Sequence, residues 1–407
     1  MYTLGIYLYI FFVKIAALFG HKKAARKLAG HKEIYAKLKS GIREGVDYVW
    51  FHVSSLGEFE QARPLMEKIK ADYPKYGIVL TFFSPSGYDS AKNYQHADII
   101  CYLPFDTMLN AKRFVTMLNP KMAFFIKYEF WMNFLVTLHK RGIPTYSVSS
   151  IFRRKQIFFR PWGVFYRKTL RSFSHLFVQN EQSKELLATI GINNVTVTGD
   201  TRFDRVVKIQ EAARSLPLVE TFVEGEKPVF IAGSSWGADE EVYLPYFNEY
   251  MGWKLIIASH EVNEARIKDI TARVKGVCVR YTQATMDEVR AADCLIVDCF
   301  GLLSSIYRYG TVAYVGGGFG VGIHNILEAA VYGVPVFFGP NNAKFQEAQQ
   351  LKECGGGIEI CDSSSFAERM RALSSNPQSL KMAGDAAGKY VSNNSGATPK
   401  ILAEIKL

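Results

Sequence analysis

Cysteine is scarce and poorly placed for chemistry. The 407-residue sequence has six, at 101, 278, 294, 299, 354 and 361, with no C-x-x-C pair and no histidine at metal-ligand spacing. That excludes a zinc ribbon or a disulfide-stapled scaffold and fits buried thiols in a reducing compartment. Only 14 prolines beside a hydrophobic content of 48% exclude a disordered chain. No G-x-G-x-x-G and no G-x-x-x-x-G-K-[ST] occurs, which disfavours a dinucleotide dehydrogenase and a P-loop NTPase. Repeats of solenoid period, low-complexity tracts and a metal-binding D-x-D are also missing.

Acidic residues are in short supply in one half. Residues 1–208 hold 31 Lys/Arg against 15 Asp/Glu, and residues 209–407 hold 18 against 23. The first half is therefore expected to face something anionic. One long apolar run exists, "MYTLGIYLYIFFVKIAALFG", interrupted by Lys14 and followed by the basic "HKKAARK". It lacks the leading charge and small-residue cleavage site of a signal peptide. We expect residues 1–40 to be an amphipathic or shallow membrane anchor, its basic cluster on anionic headgroups, with a single span and a buried core helix as alternatives.

Strand-like runs then alternate with helix-like segments: "YVWFHVSS", "YGIVLTFF", "ADIICYLP", "KMAFFIKYEFW", "PTYSVSS", "HLFVQN" and "VTVTGD". This predicts a doubly wound parallel sheet over residues 41–208. Residues 209–226 read as a linker. A second series, "PVFIAGSS", "WKLIIASH", "GVCVRY", "CLIVDC", "VAYVGGG", "PVFFG" and "GGIEI", predicts another Rossmann-like domain over 227–392, and residues 393–407 form a helix that crosses back to the first domain. Ligands of such sheets bind at the carboxyl ends of the strands, so a cleft between the two domains is expected.

Residues 314–340, "YVGGGFGVGIHNILEAAVYGVPVFFGP", contain seven glycines. Bare backbone lets N–H groups approach a ligand, and a helix starting at His-Asn suits a phosphate. Asn325 and Glu328 have the spacing of an N-cap and its N3 partner; equally, Glu328 suits a ribose hydroxyl, and the two roles are compatible. Glu58, in "HVSSLGEFEQARP", falls at the end of the first strand, where it either complements a helix dipole or serves catalysis. Glu129, Trp131 and Asn133 follow a later strand of the same sheet. In "SSIFRRKQIFFRPWGVFYRKTLRSF", Arg153, Arg154, Lys155, Arg160, Arg167, Lys168 and Arg171 are interleaved with aromatics. A solvated basic helix, a single-stranded nucleic-acid surface and a membrane interface all share that composition, and the apolar N-terminus favours the membrane.

"FHVSSLGEFEQARPL", "SPSGYDSA", "YLPFD", "FIKYEFWMNFL", "VTGDTRFD", "IAGSSWGADEE" and the glycine-rich stretch, in this order, resemble the 3-deoxy-D-manno-oct-2-ulosonic acid (Kdo) transferases over nearly the whole chain. The resemblance implies an inverting GT-B glycosyltransferase with two Rossmann-like domains. It also implies CMP-Kdo as donor, a lipid A precursor as acceptor, no cofactor or metal, no nucleic acid, and the cytoplasmic face of a Gram-negative inner membrane. It makes Glu58 the general base and Glu129 a second essential carboxylate. Gly233, Ser234, His260, Gly317, Gly318, Gly322, His324, Asn325 and Glu328 become donor-binding residues. Arg153, Arg154, Lys155, Arg160 and Arg167 become the acceptor and membrane surface. "ASHEVNEAR" departs from the family's Pro-Arg-His-type loop, leaving His260 or Arg266 to replace the expected arginine. A GT-B enzyme using a UDP-sugar and a non-catalytic anionic membrane- or nucleic-acid-binding protein remain as alternatives.

Overall fold

Every apolar run marked above as a strand forms one, and the pairings are parallel. In the computed structural model, which describes residues 2–405, the chain divides into two units, Met1–Arg205 with Ser395–Leu407, and Val206–Asn394.

The first unit holds β1 (Tyr48–Val53), β2 (Gly77–Phe82), β3 (Ile99–Tyr102), β4 (Met122–Ile126), β5 (Thr145–Ser150), β6 (His175–Val178) and β7 (Val195–Val197), in the order β3-β2-β1-β4-β5-β6-β7. β1 and β2 are buried throughout, as continuous apolar runs in a sheet covered on both faces should be. Side chains alternate between two cores. Tyr48 and Trp50 pack on one face with Phe114, Phe125 and Phe134, while Val49, Phe51 and Val53 pack on the other with Leu65, Met66 and Ile69. β1 and β4 are neighbours far apart in sequence, and the strand order reverses between them.

The second unit holds β8 (Val229–Ser235), β9 (Lys254–Ser259), β10 (Cys278–Arg280), β11 (Cys294–Ile296), β12 (Val312–Val315), β13 (Val336–Phe338) and β14 (Gly357–Glu359), in the order β10-β11-β9-β8-β12-β13-β14. Its reversal lies between β8 and β12. Residues 209–226, expected as a linker, are instead part of this unit. Helix Pro217–Val223 buries Val219 and Phe222, because its apolar face needs a core to cover it.

The first forty residues, expected as an amphipathic or shallow membrane anchor, pack on the first unit. They form α1 (Tyr2–Leu18) and α2 (Lys22–Gly41), bent by 117°. α2 buries Ile34 and Leu38 in the first unit's core. Gly30 brings α2 against Tyr102, where a Cβ would meet the ring at 2.2 Å. The basic cluster opening α2 is carried on a helix packed into the domain, with Lys22, Lys23 and Arg26 exposed and Lys27 buried. α1 is apolar on all sides apart from Lys14, so it is not amphipathic, and Leu4, Leu8, Phe11 and Phe12 are exposed. No single helix among the described residues is long and apolar enough to cross a membrane. α1 is nevertheless tied down: Tyr2 Oη donates to buried Asp106 at 2.7 Å, and Asp106 also accepts from the backbone N–H groups of Asn133 and Phe134. α3 (Leu56–Asp72) follows β1.

Helix Ala397–Glu404 returns the chain to the first unit, where Ile401 and Ile405 join the core. Its N-cap is Gly396, which has no side chain, and Asp204 caps it from a distance by accepting from Gly396 N–H at 2.5 Å and Thr398 N–H at 2.6 Å. Asp204→Ala orphans both donors, so it should cost about 1–2 kcal/mol and speed proteolysis of residues 395–407. Limited proteolysis beside a denaturation curve measures both effects.

Candidate active site

Four non-glycine residues among those described have positive φ, and three of them, Lys127, Ser149 and Ser234, end β4, β5 and β8. Left-handed backbone at strand ends costs energy, and such residues gather at functional sites. Lys127 is held by its own N–H donating to Val148 O and by Ser150 Oγ donating to Lys127 O. The turn delivers Glu129 to the end of β4, directly beside the end of β1.

There Glu129 is buried. His52, fully enclosed in β1, donates from Nε2 to Glu129 Oε2 at 3.0 Å, and Trp131 Nε1 donates to the same oxygen at 2.5 Å. Glu58 is half-buried in the first turn of α3 and accepts from the backbone N–H of Ser54. Burial first, and then the negative charge of Glu129, push the Glu58 carboxyl up to about 7, against the pull of the Ser54 N–H and the Lys127 cation. The two carboxylates are thus unlike: Glu129 is clamped by two donors, while Glu58 exchanges a proton near neutrality. The dipole-complement role does not account for that shift, since a helix N-terminus lowers a carboxyl's pKa.

In the second unit the glycine-rich loop follows β12. Its glycines are needed first for packing: a Cβ on Gly316 would meet Ser234 O at 2.2 Å, and one on Gly318 would meet Gly339 N at 2.5 Å. Gly233 likewise leaves room for the Tyr307 hydroxyl. Gly317 (φ 92°) and Gly322 (φ 141°) turn the loop back on itself, with Gly322 N–H donating to Gly317 O. Buried Asp239 clamps the loop by accepting from Gly317 N–H, Tyr314 Oη and Trp236 N–H. Trp236 stacks on His260, and His260 on His324, at 4.4 and 4.5 Å between ring centroids. Burial and the neighbouring His260 lower the His324 pKa, favouring a neutral ring.

Two details differ from expectation. The helix after the loop is only Leu327–Ala330, too short for a strong dipole, and Ile326 rather than Asn325 is its N-cap. Asn325 instead accepts from Leu327 N–H and donates to Glu328 Oε1 at 2.9 Å, which joins the two side chains without a capping box. Arg266 is committed elsewhere: it pairs with buried Glu240 and with Asp269. His260, stacked beside the loop, is therefore the remaining candidate for the missing arginine's place.

The basic-aromatic segment is two 3₁₀ turns followed by helix Val164–Leu170, not one long helix. Arg167 is a brace, donating to Phe158 O and Arg160 O. Arg153 donates to Tyr128 Oη beside the Glu129 turn, and Arg154, Lys155 and Arg160 are exposed with Trp162, Val164 and Phe165. Among the described residues no group of three His, Cys, Asp or Glu side chains is arranged to hold a metal ion.

A family model described as 3-deoxy-D-manno-octulosonic-acid transferase (kdotransferase) matches residues 22–205. Curated relatives of the same name include those of Aquifex aeolicus, 26% identical over 84% of this chain and 91% of that protein, and Bordetella pertussis, 24% identical over 93% of each. The chain is similar to the Kdo transferases along most of its length. The relatives and the family model are those of glycosyltransferases. Among solved structures, UDP-GlcNAc 2-epimerase from Neisseria meningitidis is similar with a TM-score of 0.61 at 14% identity, covering 88% of this chain and 98% of that one. The calicheamicin glycosyltransferase CalG4 has a TM-score of 0.56 at 10% identity, with the same coverage. These likenesses show the GT-B-like fold.

Sequence reasoning passed over His52, Lys127, Trp236 and Asp239. Asp239 alone had a local signal, three residues after Trp236 at a helix start. Asp239→Ala leaves two buried donors unpaired and releases the loop, and should cost the second unit about 3 kcal/mol. Hydrogen exchange should rise in β12 and residues 316–322, and unchanged protection there would refute the clamp.

Proposed function

We propose that this chain is a Kdo transferase that moves Kdo from CMP-Kdo to a phosphorylated lipid A precursor, with Glu58 as general base and inversion at the anomeric carbon. One observation carries the reading: a half-buried carboxyl with a pKa near neutrality, beside a clamped second carboxylate, where the strand order of a doubly wound sheet reverses. In the proposed reaction Glu58 takes the proton of an acceptor hydroxyl. The freed oxygen bonds to the anomeric carbon as its bond to the CMP phosphate oxygen breaks on the opposite face. The pair of electrons leaves with CMP, and the proton stays on Glu58 until water removes it. The second unit is assigned the donor. Gly233, Ser234, Gly317, Gly318 and Gly322 shape the backbone there, the stacked His260 and His324 and the linked Asn325–Glu328 pair supply polar contacts, and Glu328 is assigned to the ribose.

Glu58→Gln keeps size and hydrogen bonding but accepts no proton, so turnover should fall by about two to four orders of magnitude while CMP binding persists. The parent enzyme's kcat/KM should decline below about pH 7 as Glu58 protonates. Glu129→Gln removes the charge that raises Glu58, so its acidic limb should move to lower pH. Near-normal turnover of Glu58→Gln would transfer the base role to Glu129.

The reading also assigns the first unit to the cytoplasmic face of the inner membrane. Its support is the exposed apolar surface of α1 together with Trp162, Phe165, Arg154, Lys155 and Arg160; Tyr166 lies near enough to Tyr2 to act on its hydroxyl electrostatically. Leu8→Glu with Phe11→Glu spares the Tyr2 tether and should abolish flotation with vesicles containing anionic phospholipid. Unaltered flotation would remove α1 from the membrane contact.

A further inference from the structure

α1 and α2 flank an open cavity of about 370 Å³ beside the turn that carries Glu58. Its apolar wall is made by Phe12, Val13 and Ala16 of α1, Ala24 of α2, and Phe83 and Pro85 after β2. Phe83 N–H donates to Val53 O and Ser84 N–H to Ser54 O, so this wall is hydrogen-bonded to the strand end that leads into Glu58. The Phe83 ring also packs on Trp131 at 4.7 Å, and Trp131 donates to Glu129. Phe83 therefore links the cavity lining, through Trp131, to Glu129.

Lys27 opens onto this cavity and is itself 94% buried, its ammonium 3.0 Å from the Phe83 ring centroid and donating to Tyr9 Oη at 3.1 Å. Its neighbours along α2 have acidic partners, Arg26 with Asp89 and Lys37 with Glu33. Lys27 has its hydrogen bond to the neutral Tyr9 hydroxyl and feels the Glu129 charge only electrostatically, and Lys23 is a second cation on the cavity lining. A buried cation held by aromatic faces and one neutral hydroxyl has room for an anion. Burial pushes its pKa down to about 7 against the pull of the Glu129 charge, and a bound anion would raise it. Apolar walls of this size suit one alkyl chain, at the small end of ligand cavities.

We propose that this cavity is the acceptor's chain-and-phosphate subsite: one fatty-acyl chain lies between α1 and α2, and the phosphate of the same molecule is held by Lys27 and Lys23. The proposal rests on the lipid acceptor proposed above. It makes α1 a wall of the acceptor site as well as a membrane contact, and it makes the acceptor's apolar chain a positioning element for the hydroxyl delivered to Glu58.

The test uses the full chain in detergent with synthetic glucosamine phosphates carrying one acyl chain of increasing length, and the matching phosphate-free sugars. Equilibrium binding is read without donor, and KM with CMP-Kdo. In the parent, affinity should rise by up to roughly fourfold per added methylene until the cavity fills. Ala16→Phe fills the cavity and should flatten that slope; Ala24→Leu occupies the same space if the first variant does not fold. Comparing slopes between parent and variant cancels partition into micelles. Lys27→Met should erase the preference for the phosphorylated series. A slope that survives cavity filling, or a phosphate preference that survives Lys27→Met, would overturn the subsite. Equal competition by phosphatidylglycerol would assign the cavity to bilayer lipid and overturn the acceptor assignment. Binding with the expected dependences but no transfer to any analogue would overturn the proposed reaction and leave the subsite standing.

Discussion

Two carboxylates brought together at the reversal of a parallel sheet cannot be equally content with their charge. Glu129 has two fixed donors, from His52 and Trp131, and Glu58 has backbone N–H and a more distant lysine. Burial first, and then the repulsion from Glu129, therefore raise the Glu58 pKa toward neutrality. Much of the first unit maintains this imbalance. β1 supplies His52, the strained Lys127 turn supplies Glu129, and the β4–β5 hydrogen bonds hold that turn against its preference for extended backbone.

The second unit meets a different constraint with related means. Its strand ends must pack so closely that glycine is required at 316 and 318, and the resulting loop needs an internal tether. Asp239 provides it from the first turn of the helix after β8, so one side chain joins both strands at the reversal. The glycines that look like ligand contacts are first of all packing contacts, and the loop's shape follows from them.

The N-terminal helices link the exposed surface to the chemistry. α1 is tied through Tyr2 to Asp106, which holds the start of the helix following Trp131, and α2 lies in the core through Ile34 and Leu38. A loosely attached anchor would have no such route to the carboxylates. Desolvation holds the Asp106 pKa up at about 6 even against the pull of the Tyr2 hydroxyl and two backbone donors.

Local sequence determined the strands, because a strand buried on both faces must be apolar along its whole length, and "YVWFHV", "GIVLTF" and "VFIAG" are unmistakable on that ground. The ordered motifs around Glu58, Glu129 and the glycine loop likewise pointed to a Kdo transferase before any fold was known. What the sequence could not show was which distant residues meet. His52 reads as one more residue in a buried strand until β4 is laid beside β1, and Asp239 as a capping residue until Gly317 arrives opposite it. Asn325 and Glu328 had the spacing of a cap, yet the helix starts one residue later, with Ile326 as its N-cap. Arg266 was lost to Glu240, and Lys27 became a buried cation, only through packing between elements. Periodicity records what each segment buries; pairing across a sheet decides which charges must face one another.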